Sequence, residues 1–259
     1  MRQFSRRSAI QLLGTSALSL ALARVGLAGE QVDFQSIDVA NWLQQLQENA
    51  VKLRERQINP LLWQEAMDSI YRATPLEQLK EHLSFSKLSK AILEKMPADR
   101  GEYFHTIELT APTSATSPSG PEPRQVLITK VARVRKGYSV PPHGHSNMVS
   151  AFLCLSGEFD VRLYDRLEER EGSMVVRSTV HQQAAGPGTW SSISDYRDNV
   201  HWLTAKSDDC YLFTCKMLSV EQGLPLHGRI NIDLKNSKKL NSMTYLAPKI
   251  TAAEASRLY

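Results

Sequence analysis

The spacing of apolar residues divides the chain into a helical part and a strand-rich part. From Ser36 to about Pro97 the period is helical. Val39, Leu43, Leu46, Ala50 and Leu53 recur every three or four residues, which gathers them on one helix face. Asn59-Pro60 offers a capping side chain followed by a first-turn proline, and Thr74-Pro75-Leu76-Glu77 carries the signature of a capping box, so two further helices start there. A fourth begins near Ser84 or Ser86 and ends at Met96, because Pro97 pushes the residue before it out of the helical region.

After Pro97 the period shortens to two. Strands are expected over 103–109, 126–134, 149–155, 158–164, 174–180, 189–193, 201–205 and 211–218, with glycine or proline turns between them. Short strands at this spacing suit an antiparallel sandwich or barrel. The run 111–123, dominated by Pro, Ser and Thr, lacks alternation and reads as a surface loop. The last 35 or so residues, polar and basic over 231–241, carry no pattern that places them, and no internal repeat is present.

With 259 residues the chain suits one ordinary domain, and its content of hydrophobic (42%) and charged (22%) residues is that of a globular protein, neither disordered nor membrane-embedded. The formal charge of +4 points to nucleic acid only until it is located. Arg2, Arg6, Arg7 and Arg24 lie in the first 28 residues, which hold no acid. Without them 31 basic residues fall to 27, equal to the 27 acidic ones, so bulk charge gives no support for nucleic-acid binding.

The same leading residues read as an address. Ser5-Arg6-Arg7-Ser8-Ala9-Ile10 precedes an uncharged stretch, 9–23, that is too short to span a bilayer, and Gly26-Leu27-Ala28 offers small residues for cleavage before Gly29. The paired arginines resemble the twin-arginine export signal, which carries folded proteins to the periplasm. A general secretory signal or a membrane anchor are the other readings of these residues. Three cysteines are an odd count for an exported chain; Cys154, Cys210 and Cys215 all lie in apolar, strand-like surroundings and are expected to be buried and inert.

Among seven histidines, His143-Gly144-His145 follows Pro141-Pro142 at the entry to a strand. Residues two apart on a strand share a side, so both imidazoles can reach one ion, and Gly144 removes bulk between them. Such a pair alone is as compatible with surface or core as with ligation. Its surroundings add more. Gly137 lies six residues before His143, Gly157 lies twelve after His145 in a hairpin turn, and Gly186-Pro187-Gly188 supplies another turn ahead of Asn199 and His201. This pattern resembles the two motifs of the cupin superfamily, with Ser150 where the first motif usually has Glu.

A carboxylate-free site of three histidines resembles the thiol dioxygenases, the cysteine dioxygenase, cysteamine oxidase and plant cysteine oxidase type. HGHSNMVSAFLCLSGEFDVRLYD (143–165) and NVHWLTA (199–205), followed by Cys210, carry the likeness over 130–218, about a third of the chain. It implies an all-β jelly-roll barrel behind an α-helical N-terminal segment. The expected organisation is a signal over 1–28, helices over 29–100, the barrel over 101–225 and a C-terminal extension over 226–259. It also implies a metal on His143, His145 and His201. Fe(II) leads, with Mn, Ni or Zn left open, because imidazole accepts all of them.

The implied reaction joins O2 to a small thiol and yields a sulfinic acid. Three neutral imidazoles leave the ion's charge uncompensated, which a thiolate would supply. In the family a cysteine often stands at the place of Ser150, and an arginine on an early strand binds the substrate carboxylate; His105 stands near that place here. Ser150, Cys154 and His105 are therefore the candidate substrate-binding residues. His181 ends a strand and either approaches the site or caps an edge. His82 and His227 read as surface, and Tyr196-Arg197-Asp198 as a loop near the mouth. A metal- or ligand-binding cupin without turnover is the alternative to an enzyme. No serine-histidine-acid triad, phosphate loop or carboxylate pair is evident at motif level.

Overall fold

In the computed structural model, residues 37–109 and 126–259 are described; the candidate export signal and the loop 111–123 lie outside them. Four helices come first: α1 (Val39–Arg54), α2 (Pro60–Arg72), α3 (Leu76–His82) and α4 (Phe85–Lys95). The expected face of α1 is the buried one, with Leu43, Leu46, Ala50 and Leu53 joined by Trp42. Asn59 caps α2 by accepting the Leu62 amide at 2.9 Å, with Pro60 in the first turn. The capping box expected at Thr74 does not form. Pro75 occupies the cap position of α3, and the Thr74 hydroxyl instead donates to the Tyr71 carbonyl of the preceding helix at 2.7 Å. Among the described residues no helix is long and apolar enough to cross a membrane.

Twelve strands follow among the described residues, arranged in two sheets whose pairings are all antiparallel. The strands β1 (Glu102–Ile107), β2 (Ile128–Val134), β4 (Met148–Ser156), β7 (Trp190–Ile193) and β9 (Cys210–Leu218) form one sheet in the order β1-β2-β9-β4-β7. The other has seven strands in the order β10-β3-β8-β5-β6-β12-β11: β3 (Ser139–Ser146), β5 (Phe159–Glu169), β6 (Ser173–Ala185), β8 (Val200–Ala205), β10 (His227–Asn231), β11 (Lys238–Lys239) and β12 (Thr244–Pro248). The histidine pair sits inside β3, not at a strand entry as the prolines before it suggest. The C-terminal residues, which carry no sequence pattern, supply β10 beside β3 and β12 beside β6. They close with α5 (Ala252–Leu258), where Thr251 and Glu254 form the reciprocal capping box absent at Thr74.

The inner strands β4 and β9 are largely buried on both faces, so they read as mostly apolar runs interrupted by Ser150, Thr214 and Lys216. Alternation still separates their side chains. Val149, Ala151, Leu153 and Leu155 of β4, with Tyr211, Phe213, Cys215 and Met217 of β9, pack against the helices. Phe152, Cys154, Cys210 and Leu212 face the other sheet and meet Val140, Phe159, Val161 and Leu203. Cys154, Cys210 and Cys215 are free and buried, as their surroundings suggest. Burial pushes the Cys154 and Cys215 thiols up to about 12, which leaves them protonated and unreactive at neutral pH.

Polar contacts fix where the helices sit. Gln64 of α2 donates to the Ser192 carbonyl at 2.6 Å and accepts from the Ser194 hydroxyl at 2.8 Å, while Asp68 receives Ser192 at 2.6 Å and Arg197 at 2.5 Å. The turn after β7 is thereby tied to α2. At the centre of the helical layer Trp42 is fully buried, its indole N–H donating to the Ile70 carbonyl at 3.0 Å and its ring meeting Tyr71 edge-on at 5.6 Å. Trp42→Ala is expected to cost about 3–5 kcal/mol through the cavity left behind. Urea titration of the two proteins checks this, and a loss under about 1 kcal/mol would show that the helical layer contributes little to the core.

Candidate metal centre

The prolines before the histidine pair determine its geometry. Neither Pro141 nor Pro142 has an N–H to give to the ladder, so regular pairing fails there. The register between β3 and β8 steps from Val140 opposite Leu203 to His143 opposite His201, three residues on one strand against two on the other. The extra residue changes the parity of everything that follows. Val140 and His143, an odd number of positions apart, therefore both face the cavity, and His145 follows on the same side.

Gly144 is required by a close approach. A Cβ there would lie 2.6 Å from Oδ1 of Asn199. The space lets the Asn199 amide act as a short extra strand. Its Oδ1 accepts the His145 N–H at 3.3 Å, and its Nδ2 donates to the His145 carbonyl at 3.0 Å, to Ser194 O at 3.2 Å and to Asp195 Oδ1 at 3.1 Å.

The three imidazoles are buried, and one nitrogen of each lies within 4.8 Å of the corresponding atoms of the other two. In every ring Nδ1 faces a backbone carbonyl: Pro141 O at 2.7 Å from His143, Gly228 O at 3.2 Å from His145 and Asn199 O at 3.4 Å from His201. A carbonyl can only accept, so each Nδ1 carries the proton and each Nε2 presents a lone pair. Burial, above all, holds the three rings neutral. His145 is lowered to about 3, with Lys216, Arg229 and Arg166 adding to the effect against the Gly228 carbonyl. His143 and His201 lie well below the usual histidine value, by burial first and then by the neighbouring rings and Arg229. Three neutral nitrogen donors with oriented lone pairs fit one divalent transition-metal ion.

The rings line a cavity of about 460 Å³. Phe104, Phe152 and Leu212 form its apolar wall, and Met148, Leu218 and Leu226 also line it. Asn147 secures the 221–224 turn by donating to Glu221 O at 2.9 Å and Leu224 O at 2.7 Å and accepting the Glu221 amide at 2.7 Å.

Of the candidate substrate residues, Ser150 reaches the cavity, with its hydroxyl donating to the Cys215 carbonyl at 3.1 Å. Cys154 shares that inward face but lies outside the cavity lining, its thiol directed at the Ser156 and Gly157 carbonyls at 3.4 and 3.5 Å. His105 is not brought to the site. Its neighbour Phe104 lines the cavity, so alternation turns His105 to the opposite face, beside Tyr103. His181 lies exposed on β6, 3.1 Å from Asp160, and His82 and His227 are exposed as well. Tyr196, Arg197 and Asp198 bond to Glu221, Asp68 and Thr179 and do not line the cavity. Lys130, Lys216 and Arg229 do line it and were not singled out from sequence. The two lysines carried a signal: each breaks the apolar inward face of its strand.

The neutral rings give a pH prediction for metal-free protein. Histidines of the unfolded chain protonate near 6.5, His145 of the folded chain only near 3, so between these values the unfolded state binds more protons. Stability is expected to fall as pH drops from 6.5 toward 4. In a variant with all three histidines replaced by Gln this component is lost; equal slopes in denaturant titrations of the two proteins would contradict the neutral assignment.

No family model matches the sequence, and no curated protein matches it. Among solved structures the chain is similar to KdgF from Halomonas sp. (15% identity, 46% of this chain and 79% of that one, TM-score 0.29). It is similar to the Cnp3 cupin domain of Schizosaccharomyces pombe (9% identity, 49% and 71%, TM-score 0.31). It is also similar to oxalate oxidase (15% identity, 49% and 58%, TM-score 0.32).

Proposed function

We propose that this chain is an exported cupin that holds one Fe(II) ion on His143, His145 and His201 and oxidises a small thiol with O2 to a sulfinic acid. The observation that carries the reading is the donor set. Each Nδ1 is committed to a carbonyl, each Nε2 is free, and no carboxylate is among the described residues that line the cavity. When bound, iron would supply the redox chemistry that adds both oxygen atoms of O2 to the sulfur of a thiolate, RS⁻ + O2 + H⁺ giving RSO2H.

The chain's own residues prepare that reaction. Neutral imidazoles leave both charges of a divalent ion uncompensated, which favours an anionic sulfur over a neutral ligand. Phe104, Phe152 and Leu212 give the cavity an apolar wall shared with the histidines. Asn199 and the carbonyls of Pro141 and Gly228 hold the rings in place before any ligand arrives. The alternative, a binding cupin without turnover, is favoured by one feature: Ser150, the hydroxyl in the cavity candidate set, has its proton engaged by the Cys215 carbonyl.

The purified mature protein is expected to contain iron near one per chain and to consume O2 with at least one of cysteine, cysteamine, 3-mercaptopropionate or a peptide with N-terminal cysteine. Iron bound without O2 uptake with any of them would leave the binding alternative. His201→Ala is expected to lose metal with the fold retained by circular dichroism; unchanged occupancy would remove His201 from the ligand set.

Export is tested by itself. Replacing Arg6 and Arg7 by Lys is expected to leave the full-length chain in the cytoplasm, and processing that continues unchanged would exclude the twin-arginine route.

A further inference from the structure

The cavity that the three neutral histidines line is also lined by three cations. Lys216 of β9 lies two positions beyond Thr214 and is registered with Ser150; Lys130 of β2 is registered with Thr214. Lys130, Lys216, Thr214 and Ser150 all line the cavity. Both ammonium groups therefore enter from the five-stranded sheet, while the histidines come from β3 and β8 of the other. Arg229 enters from β10, next to the Gly228 whose carbonyl orients His145.

The charges of these cations are not equally compensated. Arg229 is held by Glu102 at 2.6 Å and lies over the Phe104 ring at 5.9 Å. Neither lysine side chain has an ion pair or hydrogen bond among the described residues. Both are half-buried, and no acid is among the described residues lining the cavity. The three cations feel one another: Lys216 is lowered from the usual lysine value by burial first and then by Lys130 and Arg229. Placing an unpaired lysine at an inward position between Thr214 and Leu218 costs stability without a gain in packing. A divalent ion on the histidines would add two further positive charges, and one thiolate would offset only one of them.

We propose that Lys130 and Lys216, assisted by Arg229, form an anion subsite, and that the ligand of this cavity carries a carboxylate or similar anionic group apart from the atom that reaches the histidines. This rests on reading the cavity as the substrate site. The subsite itself needs no metal, because its charges belong to the strands β2, β9 and β10. It also accounts for recognition without His105, which the fold turns away. A ligand with a cationic far end is disfavoured by the same field.

Calorimetric titration of the full mature protein, as purified and after chelation of metal, tests the subsite with glutarate and with n-butylamine as probes. Glutarate is expected to bind the chelated wild type and to weaken with salt, and n-butylamine not to bind. Lys216→Gln and Lys130→Gln are each expected to weaken glutarate about tenfold or more, and Lys216→Arg to retain most of the affinity. Thermal melts confirm that the variants are folded. No glutarate binding by the wild type, or undiminished binding by both Gln variants, overturns the proposal. In iron-loaded protein the Gln variants are expected to keep their iron and to raise KM for 3-mercaptopropionate but lower it for cysteamine, whose ammonium group the lysines repel. If loaded wild type oxidises no thiol while glutarate binding follows the lysines, the oxidation reading fails and the subsite stands.

Discussion

Two adjacent prolines that cannot donate to a β ladder determine where the chemistry of this protein can occur. Pro141-Pro142 interrupts the pairing of β3 with β8, inserts one residue and reverses the alternation of the strand beyond it. Without that step, His143 and His145 would share a face with the residue before Val140 and turn away from the cavity. With it, His143 stands opposite His201 and three rings meet. The Pro142 carbonyl, freed from β8, accepts from Ile232 at 3.1 Å, which draws the C-terminal segment beside the histidine strand.

The rest of the scaffold stabilises this irregular strand from two directions. Asn199 occupies the space left by Gly144 and bonds the backbone of His145 on both sides. Arg166 of β5 donates to the same His145 carbonyl at 2.8 Å. Asn199 belongs to the turn that Gln64 and Asp68 of α2 clamp through Ser192, Ser194 and Arg197. The helical layer thus covers the outer face of the five-stranded sheet and restrains the turn from which the third histidine enters.

The cavity joins these features in an electrostatic arrangement of one sign. Burial removes the charge of the histidines, yet leaves three lone pairs directed by backbone carbonyls. Lys130, Lys216 and Arg229 add cationic side chains to a cavity whose described lining holds no acid. Low dielectric strengthens the field of these cations on anything that enters. The cationic side chains of the cavity therefore select for negative charge, and a divalent ion on the histidines would add to that selection.

The helices, most strands and the histidine pair were legible in the sequence because each rests on local rules. Period sorts helix from strand, Asn59-Pro60 announces a helix start, and two residues apart on a strand share a face. The third histidine came from resemblance and was then met by the register of β3 with β8. Local rules failed where a competing carbonyl took a bond or a paired strand set a parity. Thr74 had the residues of a capping box but gave its hydroxyl to Tyr71, whereas Thr251, with the same spacing to its Glu, formed one. His105 was one residue out of register, because the face of an edge strand is set by its neighbour β2 and not by its own pattern. The C-terminal strands had no pattern since they are completed by pairing with β3 and β6. The lysines of the cavity break apolar faces in the sequence, but their role became visible only in the structure, because a charge in an apolar run acquires meaning from what lines the same cavity.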